Sequence, residues 1–281
     1  MSSTPVLLRC ADKTLDLSRP VVMGVLNVTP DSFSDGGKFF DVEAAVAQGT
    51  RMAGEGAAIV DVGGESTRPG AHAVDAQEEL RRVLPVIERL RAVTTLIISI
   101  DTSKPEVMHA AAAAGAGLIN DVRALREPGA LAAAAATGCA LSLMHMQGSP
   151  ATMQLAPHYR DVVAEVRSFL AERVAACRAA GVSPDRLLVD PGFGFGKNLE
   201  HNLTLLRHLR EVAPHGPPVL VGLSRKAMLG TLTQRPPGER TCGSVALAVI
   251  AALNGARIVR AHDVAATLDA LNVVTAVQGD R

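Results

Sequence analysis

The sequence predicts an α/β protein whose eight parallel strands alternate with helices and close into a (β/α)8 TIM barrel with a short N-terminal extension. Eight short apolar runs alternate with longer helical patterns along the 281 residues. Most of the runs are continuous, which is typical of parallel strands that are covered on both faces. A barrel of this kind commonly needs about 250 residues. We therefore expect a single domain that spans residues 1–281.

The predicted elements follow one another in a regular order. The strands are Val21–Val28, Ala57–Val62, Leu96–Ile100, Leu118–Val122, Ala140–Met146, Arg186–Val189, Pro218–Leu223 and Arg257–Val259. The helices include Val42–Gly56, Gln77–Val93, Lys104–Ala114, Asp161–Ala180, Leu199–Val212, Ser244–Leu253 and Val264–Val277. Glycines close several of these helices just before the next strand. The first twenty residues are expected to add a short hairpin across the barrel floor. A doubly wound sheet is the alternative, but its glycine-rich nucleotide motif is missing after the first strand.

Composition excludes several classes of partner. The formal net charge is +0 and the pI is about 7.1, so nothing in the charge pattern predicts binding to nucleic acid or to a membrane surface. No apolar run approaches the roughly 18–20 residues that span a bilayer, and residues 1–8 do not resemble a signal peptide. The cysteines are scattered: Cys10, Cys139, Cys177 and Cys242. We expect reduced thiols in a cytoplasmic protein.

The segment Asn27–Gly37 is the first sign of a functional site. It follows an apolar strand with an amide, carboxylates, hydroxyls, a proline, an aromatic ring and two glycines. Such a loop does not build a core, and α/β barrels place their chemistry in the loops that follow strands. Most other predicted strands also end in polar residues. These residues are Asp61, Asp101, Asn120, Asp121, His145, Asp190, Ser224, Arg225, Lys226, Arg260, His262 and Asp263.

These strand ends predict a polar, charged barrel mouth with two halves. One aspartate alone is more often a helix N-cap, but a polar end on almost every strand indicates a site. The acceptors and one cation that suit the edge of a flat, N–H-rich ligand are Asp101, Asn120, Asp190 and Lys226. The donors that suit phosphates are Thr67, Arg68, Arg260 and His262. A planar heteroaromatic head with an anionic tail fits both halves.

Other signals are weaker. The segment Gly192–Lys197 looks like a phosphate-binding loop, but it is one residue short of a Walker loop, and we expect it instead to shape a strand-end loop with Phe195 at the pocket wall. Five of the six phenylalanines lie in two loops, which favours a pocket that stacks on a flat ligand over rings that only anchor the loops. For His145, core packing and function are equally plausible.

The motifs together resemble the dihydropteroate synthase family of folate biosynthesis from about Val21 to Val277. They are Gly24–Gly37, Asp61–Gly70, Asp101–Pro105, Ile119–Asp121, Leu143–Gly148, Asp190–Lys197, Gly222–Lys226 and Arg260–Asp263. The resemblance implies a transferase that condenses 6-hydroxymethyl-7,8-dihydropterin pyrophosphate with p-aminobenzoate to give 7,8-dihydropteroate and pyrophosphate. It also implies a target for sulfonamides and a homodimer.

The resemblance also implies the residue roles. The pterin would contact Asp101, Asn120, Asp190, Lys226, Arg260 and Met144. The pyrophosphate would contact Thr67, Arg68, Arg260 and His262. The p-aminobenzoate would lie among Phe33, Pro69, Phe195 and Ser224. Mg²⁺ would bind at Asn27. The residues closest to the chemistry would be Asp101, Lys226, Asn27 and Asp35, and of Asp31 and Asp35 we favour Asp35 as the one that moves with a closing loop.

Two other functions remain open from the residues alone. A methyltetrahydrofolate methyltransferase barrel would share the pterin-holding Asp and Asn, but it has no use for the pyrophosphate pocket formed by Thr67, Arg68, Arg260 and His262. A non-catalytic pterin-binding or assembly module would be favoured by lost strand-end carboxylates, which are intact here. We therefore expect the synthase reaction, proceeding by dissociative substitution, because an arylamine is a weak nucleophile that gains most from positioning.

Overall fold

The computed structural model describes residues 6–29, 42–66, 74–148, 152–213 and 216–279. Its strands are β1 (Leu7–Cys10), β2 (Lys13–Asp16), β3 (Val21–Asn27), β4 (Ile59–Gly63), β5 (Ile97–Asp101), β6 (Leu118–Asp121), β7 (Ala140–Met144), β8 (Leu187–Asp190), β9 (Val219–Gly222) and β10 (Ala256–Ala261). Strands β3 to β10 pair in parallel and close into a barrel, with β10 hydrogen-bonded to both β9 and β3. The predicted (β/α)8 barrel is confirmed, and all eight predicted strands are present.

Helices connect consecutive barrel strands. They are α1 (Val42–Gly54), α2 (Ala76–Val93), α3 (Pro105–Ala113), α4 (Ala130–Ala136), α5 (Val162–Ala179), α6 (Leu199–Arg207), α7 (Leu209–Val212), α8 (Ala227–Thr233), α9 (Thr241–Leu253) and α10 (Val264–Gln278). The predicted helix Leu199–Val212 is broken at His208, which ends α6 and begins α7. The short helices α4 and α8 were not predicted. The alanine run of α4 has no apolar–polar periodicity from which a helix could be recognised.

The N-terminal hairpin closes the bottom of the barrel, as predicted. Strands β1 and β2 pair antiparallel, and Leu8, Cys10 and Leu17 are completely buried. They pack against an apolar layer to which each barrel strand contributes one residue. These residues are Met23, Ile59, Ile97, Leu118, Ala140, Leu188, Leu220 and Ile258. The floor is therefore an apolar plug that keeps water out from below.

A largely polar layer lies directly above this apolar floor. Side chains alternate between the two faces of a strand, so the residue two positions farther along each strand also points into the barrel. These residues are Val25, Asp61, Ser99, Asn120, Ser142, Asp190, Gly222 and Arg260. The alternate positions, such as Val22, Val60 and Ile98, belong to the outer core that packs under the helices. The barrel therefore changes from apolar to polar along its axis, toward the carboxyl ends of its strands.

Two further predictions can be compared with the structure. All four cysteines are free, and three of them are buried while Cys242 is exposed. The glycines Gly56, Gly115, Gly181 and Gly255 follow helices with positive φ, as the sequence predicts for helix ends. Among the described residues, no helix combines the length and the apolar composition that crossing a membrane requires.

Candidate active site

An ionic network crosses the barrel mouth. Arg260 donates from Nε to Asp61 Oδ2 at 2.6 Å and from Nη2 to Asp101 Oδ2 at 3.1 Å. Asn120 donates from Nδ2 to the same Asp61 oxygen at 3.1 Å. Strands β4, β5, β6 and β10 thus supply four polar side chains to one cluster. The structure therefore brings these strand-end side chains together at one mouth, and the network joins Arg260 of the predicted phosphate half to Asp101 and Asn120 of the other half.

Two carboxylates share one guanidinium in this network. Asp61 is completely buried, and its Oδ1 has no hydrogen-bond partner among the described residues. Burial and the negative charge of Asp61 raise the pKa of Asp101 to about 8, while Arg260 acts in the opposite direction. A carboxyl group with such a pKa can change its protonation state near neutral pH, which is a property of many functional sites.

Asp190 lies at the end of β8 and is 5 % exposed. Burial raises its pKa to about 6, and a hydrogen bond from the Gly192 N–H to Oδ1 at 2.7 Å favours the charged form. Gly192 has a φ of +70°, and a Cβ there would lie 1.9 Å from the His145 carbonyl oxygen. Only glycine therefore allows the chain to turn back so closely and cap the Asp190 carboxylate.

Lys226 faces this carboxylate from the next strand end. Its Nζ lies 4.3 Å from the centroid of the Phe195 ring, which is a cation–π contact. Burial and the nearby Arg260 lower the pKa of Lys226 to about 8, while Asp190 and Asp101 act in the opposite direction. Lys226, an ammonium that loses its proton more readily than an exposed lysine, therefore lies beside the buried carboxylate of Asp190.

One wall of the mouth is apolar. Met144, at the end of β7, packs in a buried cluster with Phe195, and the other members are Val122, Met146 and Met153. Phe193, by contrast, is completely covered and belongs to the outer core. Of these two loop phenylalanines, Phe195 fits the predicted pocket wall and Phe193 anchors the loop. The alternative explanation for loop aromatics therefore holds for Phe193.

Ser224 and His262 lie side by side at the ends of β9 and β10. The Ser224 Oγ accepts a hydrogen bond from the His262 backbone N–H at 3.2 Å and lies 3.0 Å from His262 Nδ1. Arg225, which directly follows Ser224, has a φ of +57°. It forms an ion pair at 2.7 Å with Asp263, which directly follows His262. The predicted amine-site serine and the predicted anion-site histidine are therefore direct neighbours.

Asn27 ends β3 at the rim of the mouth and is half-buried. Its side-chain amide makes no hydrogen bond to a described residue. Asp31, Asp35, Phe33, Thr67, Arg68 and Pro69 lie outside the described residues. Their predicted roles in catalysis, anion binding and the amine site stay predictions.

From the sequence, no role is assigned to two residues that the structure places within the site or directly behind it. Asp61 holds both Arg260 and Asn120, and Lys197 lies buried directly behind the Asp190 loop. Asp61 was visible as a polar residue inside a predicted buried strand, and this signal was sufficient to single it out. Nothing in the sequence shows where the Lys197 side chain points. His145, for which packing and function were equally plausible, is the neighbour of Lys197.

Comparison with known proteins agrees with this geometry. The family model described as "Pterin binding enzyme" matches residues 23–262. The dihydropteroate synthase of Escherichia coli K12 is 56% identical over 263 residues, which cover 94% of this chain and 93% of that protein. The Xanthomonas albilineans dihydropteroate synthase solved with 4-aminobenzoic acid has a TM-score of 0.93 and 59% identity, covering 98% of this chain and 99% of that one. Its complex with 7,8-dihydropteroate has a TM-score of 0.88 and 56% identity, covering 97% and 99% of the two chains.

Proposed function

This chain belongs to the dihydropteroate synthase family, and on that premise we propose how the barrel mouth carries out the reaction of the family. The enzyme is a transferase of folate biosynthesis: it condenses 6-hydroxymethyl-7,8-dihydropterin pyrophosphate with p-aminobenzoate to give 7,8-dihydropteroate and pyrophosphate. The relatives support this reaction and not the methyltransferase or non-catalytic alternatives. The observation that carries the assignment of residues is the convergence of Asp101, Asn120, Asp190, Lys226 and Arg260 on one mouth.

The pterin head binds in the polar layer above the apolar floor. Asp190, held in its charged form by the Gly192 N–H, accepts hydrogen bonds from the N–H groups of the pterin edge. Lys226 donates to the ring carbonyl or a ring nitrogen from the other side. Asn120 and Asp101 supply the remaining polar contacts, and Met144 covers an apolar part of the ring. Arg260 stacks its planar guanidinium beside the pterin.

The pyrophosphate tail is proposed to bind His262, Arg260, Thr67 and Arg68. Mg²⁺ is proposed to bind at Asn27 together with this tail. Among the described residues, no cluster of three or more His, Cys, Asp or Glu side chains can hold a metal ion. A single amide oxygen fits Mg²⁺ that keeps several waters and arrives with substrate phosphates. When bound, the ion would stabilise the charge that develops on the departing pyrophosphate.

The p-aminobenzoate occupies the space beside the pterin methylene. Phe195 forms one wall, and Ser224 supplies a hydroxyl to the carboxylate. Phe33 and Pro69 are proposed to complete the site. Because Ser224 contacts His262, the carboxylate end of the amine lies close to the anion pocket. Sulfonamides, which resemble p-aminobenzoate in shape, are proposed to bind here.

The substitution is proposed to be dissociative. The methylene C–O bond breaks first, and its electron pair leaves with the pyrophosphate, which His262 and the neighbouring arginines bind as an anion. The positive charge left on the pterin methylene spreads into the ring, where Asp101 in its ionised form is proposed to be the counter-charge. The nitrogen lone pair of the amine then forms the C–N bond, and the ammonium proton is lost to solvent. The loops that contain Asp35 and Arg68 are proposed to exclude water, which would prevent hydrolysis of the cation.

One coupled assay tests both the activity and this order of steps. Pyrophosphate release is measured from the pterin substrate with and without p-aminobenzoate. We expect one pyrophosphate per dihydropteroate when both substrates are present, and slower release without the amine. No release at all without the amine would contradict the dissociative order. Asp190→Ala should lose pterin affinity, since the ligand donors lose their charged acceptor, and near-normal affinity would overturn the pterin assignment.

The enzyme is also proposed to work as a cytoplasmic homodimer. The free, mostly buried cysteines agree with a reducing compartment. Helices α9 and α10 pack against each other and expose several large apolar side chains on their outer surface. These are Ile250 and Leu253 on α9 and Val273 and Val277 on α10. Exposed apolar side chains on two helices that pack against each other suit burial against a second copy of the chain.

A further inference from the structure

A buried lysine lies directly behind the loop that carries Asp190 and Phe195. Lys197 is only 2 % exposed and ends the segment 190–197, which we call the β8 loop. Its Nζ lies 2.9 Å from the Gly192 carbonyl oxygen, 3.0 Å from the Phe195 carbonyl oxygen and 2.9 Å from His145 Nδ1. A charged side chain is seldom placed at such depth without a purpose, because its desolvation is costly.

The surroundings of Nζ suit an ammonium ion, and the His145 carbonyl oxygen is a further acceptor at 3.4 Å. With the His145 proton on Nε2, an ammonium has one N–H donor for each of the three nearer acceptors, whereas a neutral amine has only two donors. Burial lowers the pKa of His145 to about 3, so its neutral ring can accept at Nδ1 and carry its proton on Nε2. Burial lowers the pKa of Lys197 to about 7, and the charge of Asp190 acts in the opposite direction.

The two carbonyls belong to the residues that govern the two substrate sites. The Gly192 carbonyl is bound by Lys197, and the N–H of the same residue orients the Asp190 carboxylate at 2.7 Å. The Phe195 carbonyl is also bound by Lys197, while the ring of that residue lies against Lys226. One side chain therefore fixes the pterin acceptor and the amine-site wall relative to each other.

The same ammonium acts on the charge of Asp190. Asp190 is faced by three cations, which are Lys197 behind the loop and Lys226 and Arg260 in the mouth. Ligand binding engages the two cations in the mouth, whereas Lys197 is shielded from the ligand by the loop itself. Around Lys197, the other titratable groups are His145, which is neutral, His201, whose pKa is lowered by burial and by Lys197, and Tyr159, whose hydroxyl donates to the Gly196 carbonyl oxygen. Lys197 is thus a counter-charge for Asp190 that ligand binding does not engage.

We propose that Lys197 is a positioning residue of the condensation: its buried ammonium holds the β8 loop so that Asp190 stays ionised and aligned with Phe195. This inference rests on the proposed roles of Asp190 and Phe195 in binding the two substrates. Lys197 itself touches neither substrate. Its removal should therefore change both substrate affinities and the pH dependence, which a residue that only adds stability would not do.

The test compares Lys197→Met and Lys197→Gln with a control of similar depth. Lys197→Met removes the charge and all donors; we expect KM to rise about tenfold for both substrates and the acid limit of kcat/KM for the pterin substrate to move up by about one pH unit. Lys197→Gln keeps two donors without charge. It should recover part of the KM loss and still show the shifted acid limit. Leu209→Ala, in the buried face of α7, should lower Tm while leaving both KM values and the acid limit unchanged.

Two outcomes would overturn the inference. One is a Lys197→Met enzyme that matches Leu209→Ala, with a lower Tm and unchanged KM values and pH profile. The other comes from the wild-type protein and needs no variant to fold. The chain has five lysines, Lys13, Lys38, Lys104, Lys197 and Lys226, so ¹⁵N-lysine NMR resolves a small set of side-chain signals. We expect Lys197 Nζ to be an ammonium at pH 6.5, and a neutral amine there would contradict the proposal.

Failure of the proposed function would look different. Wild-type enzyme would then release no pyrophosphate with both substrates present, whatever the state of Lys197. Failure of the Lys197 inference appears only as normal kinetics in the variants of an active enzyme, or as a neutral Nζ in the NMR spectrum.

Discussion

Arg260 donates its Nε to Asp61 Oδ2 at 2.6 Å, although the two residues are 199 positions apart in the sequence. Asp61 has no predicted contact with substrate, yet it holds the guanidinium that is proposed to stack on the pterin. The same Asp61 oxygen also accepts from Asn120. This carboxylate therefore organises two of the proposed pterin contacts from below the ligand.

Asp61→Asn should weaken pterin binding without any direct contact to the ligand. The substitution replaces a charge-assisted hydrogen bond to Arg260, so the free energy of unfolding should fall by about 1.5–3 kcal/mol. The pterin Kd, measured by calorimetry, should rise at least about tenfold, which corresponds to about 1.4 kcal/mol. The matched control is Asp185→Asn in the exposed Arg9–Asp185 pair, which should leave both quantities close to wild type. Unchanged pterin affinity in Asp61→Asn would contradict the positioning role.

Activity should fall as the pH rises through about 8, the lowered pKa of Lys226. Above that pH, Lys226 loses its proton and can no longer offer a cation to the pterin carbonyl. Lys226→Arg keeps the charge at every accessible pH. Its kcat/KM should be lower than that of the wild type, but the alkaline fall of the pH profile should disappear. If the fall persisted in Lys226→Arg, Lys226 would not be the titrating group. Asp101 could not explain the fall either, because its pKa is raised to about 8 and its ionisation above that pH supplies the counter-charge that the reaction needs.

Gly192→Ala should disrupt the site more than a glycine substitution elsewhere. Gly192 and Gly181 both have positive φ, but a Cβ at Gly192 meets the His145 carbonyl at 1.9 Å, whereas at Gly181 it meets nothing within 4 Å. Gly181→Ala should therefore cost only the left-handed backbone penalty, about 1–2 kcal/mol. Gly192→Ala adds a steric clash of at least about 1–3 kcal/mol. Urea unfolding measures the difference, and equal losses would show that the close contact with His145 is unimportant.

A charge introduced on the exposed face of α9 and α10 should separate the proposed dimer. Val273 is 63% exposed and Ile250 is 43% exposed. The double substitution Ile250→Glu and Val273→Glu places like charges on a self-complementary surface, so light scattering should show a monomer. Val93→Glu, at the end of α2, replaces an exposed valine elsewhere and should leave the mass unchanged. A wild-type monomer, or a dimer that survives the double substitution, would refute this interface.

The strands and most helices could be predicted because their signals are local. A continuous apolar run followed by a polar residue marks a buried parallel strand that ends at the mouth, and this pattern located all eight barrel strands. Helix α4 could not be predicted from the sequence because a run of alanines presents no distinct apolar face. The break at His208 could not be predicted for a different reason. The apolar pattern of the sequence continues across His208, and only the backbone geometry of this residue separates α6 from α7.

The sequence by itself determined the barrel, the polar rim and the family, since each depends on residue types at short, regular spacings. Only the tertiary structure decided which of those polar residues are partners. Asp61 and Arg260 meet because β10 closes the barrel beside β3, and Lys197 meets His145 because the β8 loop folds back over the end of β7. Such pairings depend on the direction of a side chain within a closed sheet, and burial then sets their pKa values. Residue spacing along the chain predicts neither the direction of a side chain in the closed barrel nor the depth of its burial, which sets its pKa.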